Sequence, residues 1–216
     1  MFPVRSTLIV LPVFALLGSA PLAGQMLHSG RHVLNTPARE VTPADVARGD
    51  SLRATVRAIL ERYPTPEDAE RAGYRWFLRR PKEPRVYHYT NRQNAKQART
   101  HFDARQPTSL LYKKDASGTL RAVGVMYTAP PSATADELDA RVPVSLGQWH
   151  QHVKLCLPRQ GTNADEADMM GPNARFGPLG KIDTKGACEA AGGRFVPRMF
   201  GWMVHVELDH TEGHRH

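Results

Sequence analysis

The sequence predicts an α+β protein, an N-terminal helix pair followed by a mostly antiparallel β-sheet or small β-barrel. Three observations predict it. Two Thr-Pro openings start helical stretches early in the chain, at Thr42-Pro43 and Thr65-Pro66. Beyond Arg80 the texture changes to short runs rich in aromatic and β-branched residues. Between two of those runs, "DASG" (Asp115 to Gly118) carries hairpin-turn chemistry.

The first helix takes Thr42 as its N-cap, Pro43 in the first turn and Asp45 near the positive end of the helix dipole. Val46, Leu52, Val56, Ile59 and Leu60 follow at mostly helical spacing up to Tyr63-Pro64. The second takes Thr65 as cap and Glu67 and Asp68 in its first turn, and Gly73 stops it. Strands are expected at Arg85–Thr90, Thr108–Lys114, Leu120–Ala129, Gly147–Pro158 and in "GWMVHVEL" near the end. The stretch "NRQNAKQARTHF" reads equally as a helical turn or a loop. Thr134 and Glu137 form a capping-box pair, which predicts a short helix. A Gly-, Pro- and Asn-rich excursion separates Arg159 from Gly186.

Ahead of all this, Arg5, an apolar run from Leu8 to Leu17 and the small residues Gly18, Ser19 and Ala20 have the layout of a secretory signal peptide. The expected organisation is a signal peptide (1–24), a flexible lead-in (25–41), one α+β domain (42–209) and a histidine-rich tail (210–216). The protein is accordingly expected to be exported, periplasmic or secreted. No later stretch is long and apolar enough for a transmembrane segment after signal removal. The chain is basic, with 29 Lys+Arg against 21 Asp+Glu. The charges are scattered apart from clusters such as Arg75–Arg85, with no aromatic-interleaved basic motif, so nucleic acid is not expected as a partner. In an oxidising compartment Cys156 and Cys188, the two cysteines of the chain, read as a disulfide worth about 3–4 kcal/mol by chain entropy.

Chemistry concentrates in the histidines. In "GQWHQHVKLC" strand alternation puts His150 and His152 on one face with Gln148 and Cys156, and Trp149, Val153 and Leu155 on the other. In "GWMVHVEL" His205 shares a face with Met203 and Glu207. In "VYHYTN" His88 stands between Tyr87 and Tyr89, and in "AVGVMYTA" Met126 faces with Gly124 and Thr128. The expected site holds one metal ion on His150, His152 and His205, with His88 or Glu207 completing it. Three imidazoles and an open position suit zinc, copper or iron, and Met126 or Met203 as a soft ligand tilts the choice toward copper. Such a site serves metal handling or a metal-dependent reaction. Glu207 reads otherwise as solvated charge. His210, His214 and His216 in the tail offer a second, unselective place for metal.

The alternative is a metal-free envelope binding or structural module, in which Trp149, Tyr87, Tyr89 and Trp202 serve packing or ligand contact. A hydrolase is disfavoured, because the chain has no G-x-S-x-G elbow and no paired-carboxylate motif.

The segments "RYPTPEDAERAGYRW", "YHYTN", "FDARQPTSLLYKKDASGTLRAVGVMYTAP" and "WHQHVKLC" resemble a group of uncharacterised exported bacterial proteins. Those chains have a helix pair, a GYHY-type strand, a "P-x-x-L-L-Y" strand, a hairpin and a late histidine strand. The resemblance spans about two thirds of the mature chain. It implies export and this order of elements, with no established activity to transfer. The present chain departs from the pattern at Arg85-Val86, where the group has a glycine-rich approach to the Tyr-His-Tyr strand.

Overall fold

The computed structural model describes residues 27–28, 31–77 and 84–208. The expected signal peptide and the histidine-rich tail lie outside the described residues.

The fold is α+β and is built on one antiparallel sheet. Strands β1 (Leu27–His28), β2 (Val33–Asn35), β3 (Arg75–Trp76), β4 (Tyr87–Thr90), β5 (Ser109–Lys114), β6 (Leu120–Ala129), β7 (His150–Pro158) and β8 (Gly193–Glu207) lie in the order β1-β2-β7-β8-β6-β5-β4-β3. The outermost strands are not laddered to each other, so the sheet stays open and the barrel option fails. The stretch read as a lead-in is different too. Within it β2 pairs antiparallel with β7, Leu34 opposite Gln151, and Thr36 is fully buried. Three residues are too few for periodicity to betray a strand; the backbone of β7 supplies the partner.

The helices begin where the side-chain chemistry puts them. Helices α1 (Pro43–Arg62), α2 (Pro66–Arg71) and α4 (Ala135–Arg141) each open with a reciprocal capping box, Thr42 with Asp45, Thr65 with Asp68 and Thr134 with Glu137. Each box satisfies N–H groups that a helix start leaves without partners. Asn91 caps the short α3 (Arg92–Gln97) through its side-chain oxygen. The excursion carries α5 (Ala167–Met170) and α6 (Lys185–Ala190).

One face of the sheet is the core. Leu110, Tyr112, Val125, Tyr127, Trp149 and Val204 pack there against Val56 and Ile59 of α1 and Leu138 of α4. Burying a side chain of this size stabilises by roughly 1.5–3 kcal/mol. The large aromatics also place their polar ends. Trp149 Nε1–H donates to Val142 O at 3.1 Å, and Tyr112 O–H reaches Tyr63 O at 2.8 Å where α1 gives way to α2. Trp149, Tyr87, Tyr89 and Trp202 are all buried in this core. Their rings pack among the other core side chains. A second apolar cluster lies under the excursion, with Cys156, Phe176 and Cys188 at its centre. The Cys156–Cys188 disulfide forms there and ties α6 to β7, 32 residues earlier.

The sheet is strongly curled. In a flat sheet His88 on β4 and His205 on β8 would stand three strand spacings apart, about 14 Å. Their ring centroids are 5.1 Å apart. Two features on the strands between them coil it. The β5–β6 register slips between Leu111 and Tyr112, the signature of a bulge, which bends and twists a strand. Gly124 follows on the partner strand, where a Cβ would stand 2.4 Å from Val206 O, so β6 and β8 approach at a distance only glycine permits.

Candidate functional site

The face of the sheet opposite the core gathers the histidines. His88 comes from β4, His150 and His152 from β7 and His205 from β8. Ring centroids are 5.1 Å apart for His88–His205, 5.4 Å for His150–His205 and 5.7 Å for His150–His152. The four rings form a chain of direct neighbours, with His205 between the β4 and β7 histidines. His88 Nε2 and His205 Nε2 are 3.3 Å apart. All four sequence-expected histidines are therefore brought together, including His88, which comes from the far side of the sheet.

As placed, these donors do not surround one point. Among the described residues no group of three or more His, Cys, Asp or Glu side chains has the arrangement a metal ion would need. The rings meet edge to face at His150–His152 and His150–His205, with interplanar angles of 86° and 89°. Aiming their nitrogens at a common centre takes rotation about the side-chain bonds. His152 Nδ1 is buried without a hydrogen-bond partner.

Burial governs the protonation of the cluster, because a charged imidazole loses hydration that its neighbours do not replace. It pushes His205 down to about 3, with His88 and His150 adding like-charge cost. It pushes His150 down to about 4, with His152 the next contributor. His88 is lowered mainly by burial, against a backbone contact with Val86 and the charge of Glu207 that act the other way. His152 is lowered by burial and then by the His32 ring. Near neutral pH the cluster is a set of neutral imidazoles, the form that ligates metal.

Glu207 sits at the exposed margin of this face. Its carboxylate is ion-paired with the Lys113 ammonium, and its charge also acts on His88. Cys156, which strand alternation puts on the histidine face of β7, is buried in the second apolar cluster with its expected disulfide partner Cys188.

Several residues at the site had no sequence signal. Phe77 N–H donates to His88 O at 3.0 Å and so continues the β3–β4 ladder opposite His88. Its ring meets Phe200 at 5.5 Å, and both are exposed, at 42% and 53%. Phe200 lies where β8 gains two residues relative to β7, since His152 pairs with Met199 and His150 with Met203. Its φ of 62° is strained for a bulky side chain. Behind His152, buried His32 places Nε2 2.7 Å from Gly180 O and Nδ1 3.3 Å from Val153 O, fastening the excursion to β7. His32 fell in a stretch with no periodicity, so nothing in the sequence marked it.

No protein-family model, no curated protein and no solved structure matches the chain.

Proposed function

We propose that this is an exported metal-binding protein that holds one transition-metal ion on His88, His150, His152 and His205, in metal handling or a metal-dependent reaction at an open coordination position. The observation that carries the reading is the convergence of four largely buried, neutral imidazoles from three strands on one curled sheet face. Burying polar rings together costs hydration, and a shared ion is a physical return for that cost. The 3.3 Å between His88 Nε2 and His205 Nε2 is also the separation of two nitrogens bound tetrahedrally at about 2.0–2.1 Å to one zinc-sized ion. Export is supported by the N-terminal charge-apolar-small layout and by a disulfide compatible with an oxidising compartment.

A second reading, a metal-free envelope module, is favoured by the edge-to-face ring packing and by the absence of a common donor centre among the described residues. In that reading the His88–His205 contact is an N–H···N hydrogen bond within a structural cluster.

Elemental analysis separates the two. The protein is produced by export, untagged, with His210, His214 and His216 replaced by alanine. It is compared with the same chain carrying His150→Ala/His152→Ala. About one equivalent of one metal in the first and none in the second is expected. A folded protein that takes up no metal under supplementation establishes the metal-free module instead.

A further inference from the structure

The strand register sets a methionine directly opposite each histidine of β7 and β8. His150 pairs with Met203 and His152 with Met199 across β7–β8, and His205 pairs with Met126 across β6–β8. Directly opposed residues of an antiparallel pair project from the same face, with Cβ atoms about 4.5–5.5 Å apart. Three methionines therefore border the histidine cluster. None belongs to either apolar cluster of the protein, although Met203 is only 7% exposed. Met203 is buried on the histidine side.

Resting on the histidine-site reading above, we propose that the ion is monovalent copper, held by imidazole nitrogens of the histidine cluster, His150 and His205 among them, together with the thioether sulfurs of Met203 and Met126. A thioether is a soft, uncharged donor that favours copper(I) over zinc, calcium or magnesium. Met199, opposite His152, is positioned as an alternative sulfur donor. The carboxylate that would suit a harder ion, Glu207, is occupied by Lys113 at the margin. Nitrogen donors alone would serve zinc or copper(II); the row of sulfurs beside them is what discriminates.

The test uses the full mature chain with the three tail histidines replaced by alanine. Copper(I) is titrated anaerobically in competition with a chromogenic copper(I) chelator, and zinc(II) is titrated in parallel. The variant is Met126→Leu/Met203→Leu, a near volume-conserving exchange whose fold is checked by thermal unfolding. The expected result is one copper(I) per chain, weakened by about 100-fold in the double variant while zinc binding stays within about threefold. X-ray absorption of the copper(I)-loaded unsubstituted protein gives a reading that needs no variant, and sulfur in the first coordination shell is expected. Equal copper(I) affinity in both proteins, or a shell of nitrogen only, overturns the copper assignment while zinc binding leaves the histidine site standing. If neither metal binds the unsubstituted protein, the histidine-site reading fails, and the copper assignment with it.

Discussion

His88 Nε2 lies 3.3 Å from His205 Nε2, although β4 and β8 are separated in the sheet by β5 and β6. No local element creates that contact. It depends on the sheet coiling toward its histidine face, and on His205 standing where the β4 and β7 histidines both reach it.

His205 should therefore be the least dispensable ligand. His205→Ala is expected to abolish stoichiometric metal uptake, a loss beyond the roughly 10–100-fold that removing an outer-sphere partner costs. Glu207→Gln is expected to leave metal affinity within about twofold, because its carboxylate is an exposed partner of Lys113 and such pairs contribute little. Competition titration of both variants checks the contrast, and a large loss in Glu207→Gln would return that carboxylate to the ligand set.

The cluster also sets a pH dependence. Burial lowers His205 to about 3 and His150 to about 4, from an ordinary value of 6.5. Below pH 6.5 the unfolded chain takes up protons at these positions that the folded protein refuses, so stability rises with pH across this window. The full contribution is present above 6.5. It declines as the pH falls toward 4 and 3, by up to about 1.4 kcal/mol per pH unit for each imidazole kept neutral. Denaturant unfolding of the metal-free protein between pH 7.5 and 4.5 should show this slope. His150→Ala/His205→Ala should flatten it, and an unchanged slope in that variant would place its origin elsewhere.

Gly124 is the residue on which the coil turns. A Cβ there would lie 2.4 Å from Val206 O and 2.8 Å from the Cα of Glu207, both parts of the backbone of β8 that cannot swing aside. Gly124→Ala should separate β6 from β8 beside His205, lowering stability by about 1–3 kcal/mol as overpacking does. Metal affinity should fall with it even though no ligand has changed. Thermal unfolding and metal titration of this one variant measure both effects. Retained affinity would show that the cluster tolerates a flatter sheet.

The sequence made much of this legible, and the part it hid has a physical reason. Thr42, Thr65 and Thr134 announce their helices because a capping box is a local bargain between neighbours three residues apart. The Asp115–Gly118 turn announces the β5–β6 hairpin in the same way, with Gly118 at φ 82°. Alternation along single strands sufficed to single out His88, His150, His152 and His205, whose rings the fold makes neighbours. What alternation cannot supply is the strand order, and hence which strand faces which. The pairing of β2 with β7 and of His152 with Met199 rests on long-range register, as does the Phe77–Phe200 contact across the sheet. The burial around Cys156 was hidden for a related reason. The excursion folds back as a second small core and buries a face that a lone strand would show to solvent.

Gln151 offers a test of how far the site has been built at the expense of stability. It lies on β7 between the two site histidines, it is fully buried, and neither its side-chain oxygen nor its nitrogen has a hydrogen-bond partner in the protein. Alternation sends it to the face opposite His150 and His152, the face of Trp149. A buried amide left without partners costs about 1–3 kcal/mol, and an apolar group of similar shape does not incur that cost. Gln151→Met keeps the length and flexibility of the side chain while removing both polar atoms, so it should stabilise the protein by about 1 kcal/mol or more. Metal affinity should not change, since the histidine face is untouched. If chemical denaturation instead shows Gln151→Met to be destabilising, the amide has a bonding role, such as holding a buried water against the backbone of β2.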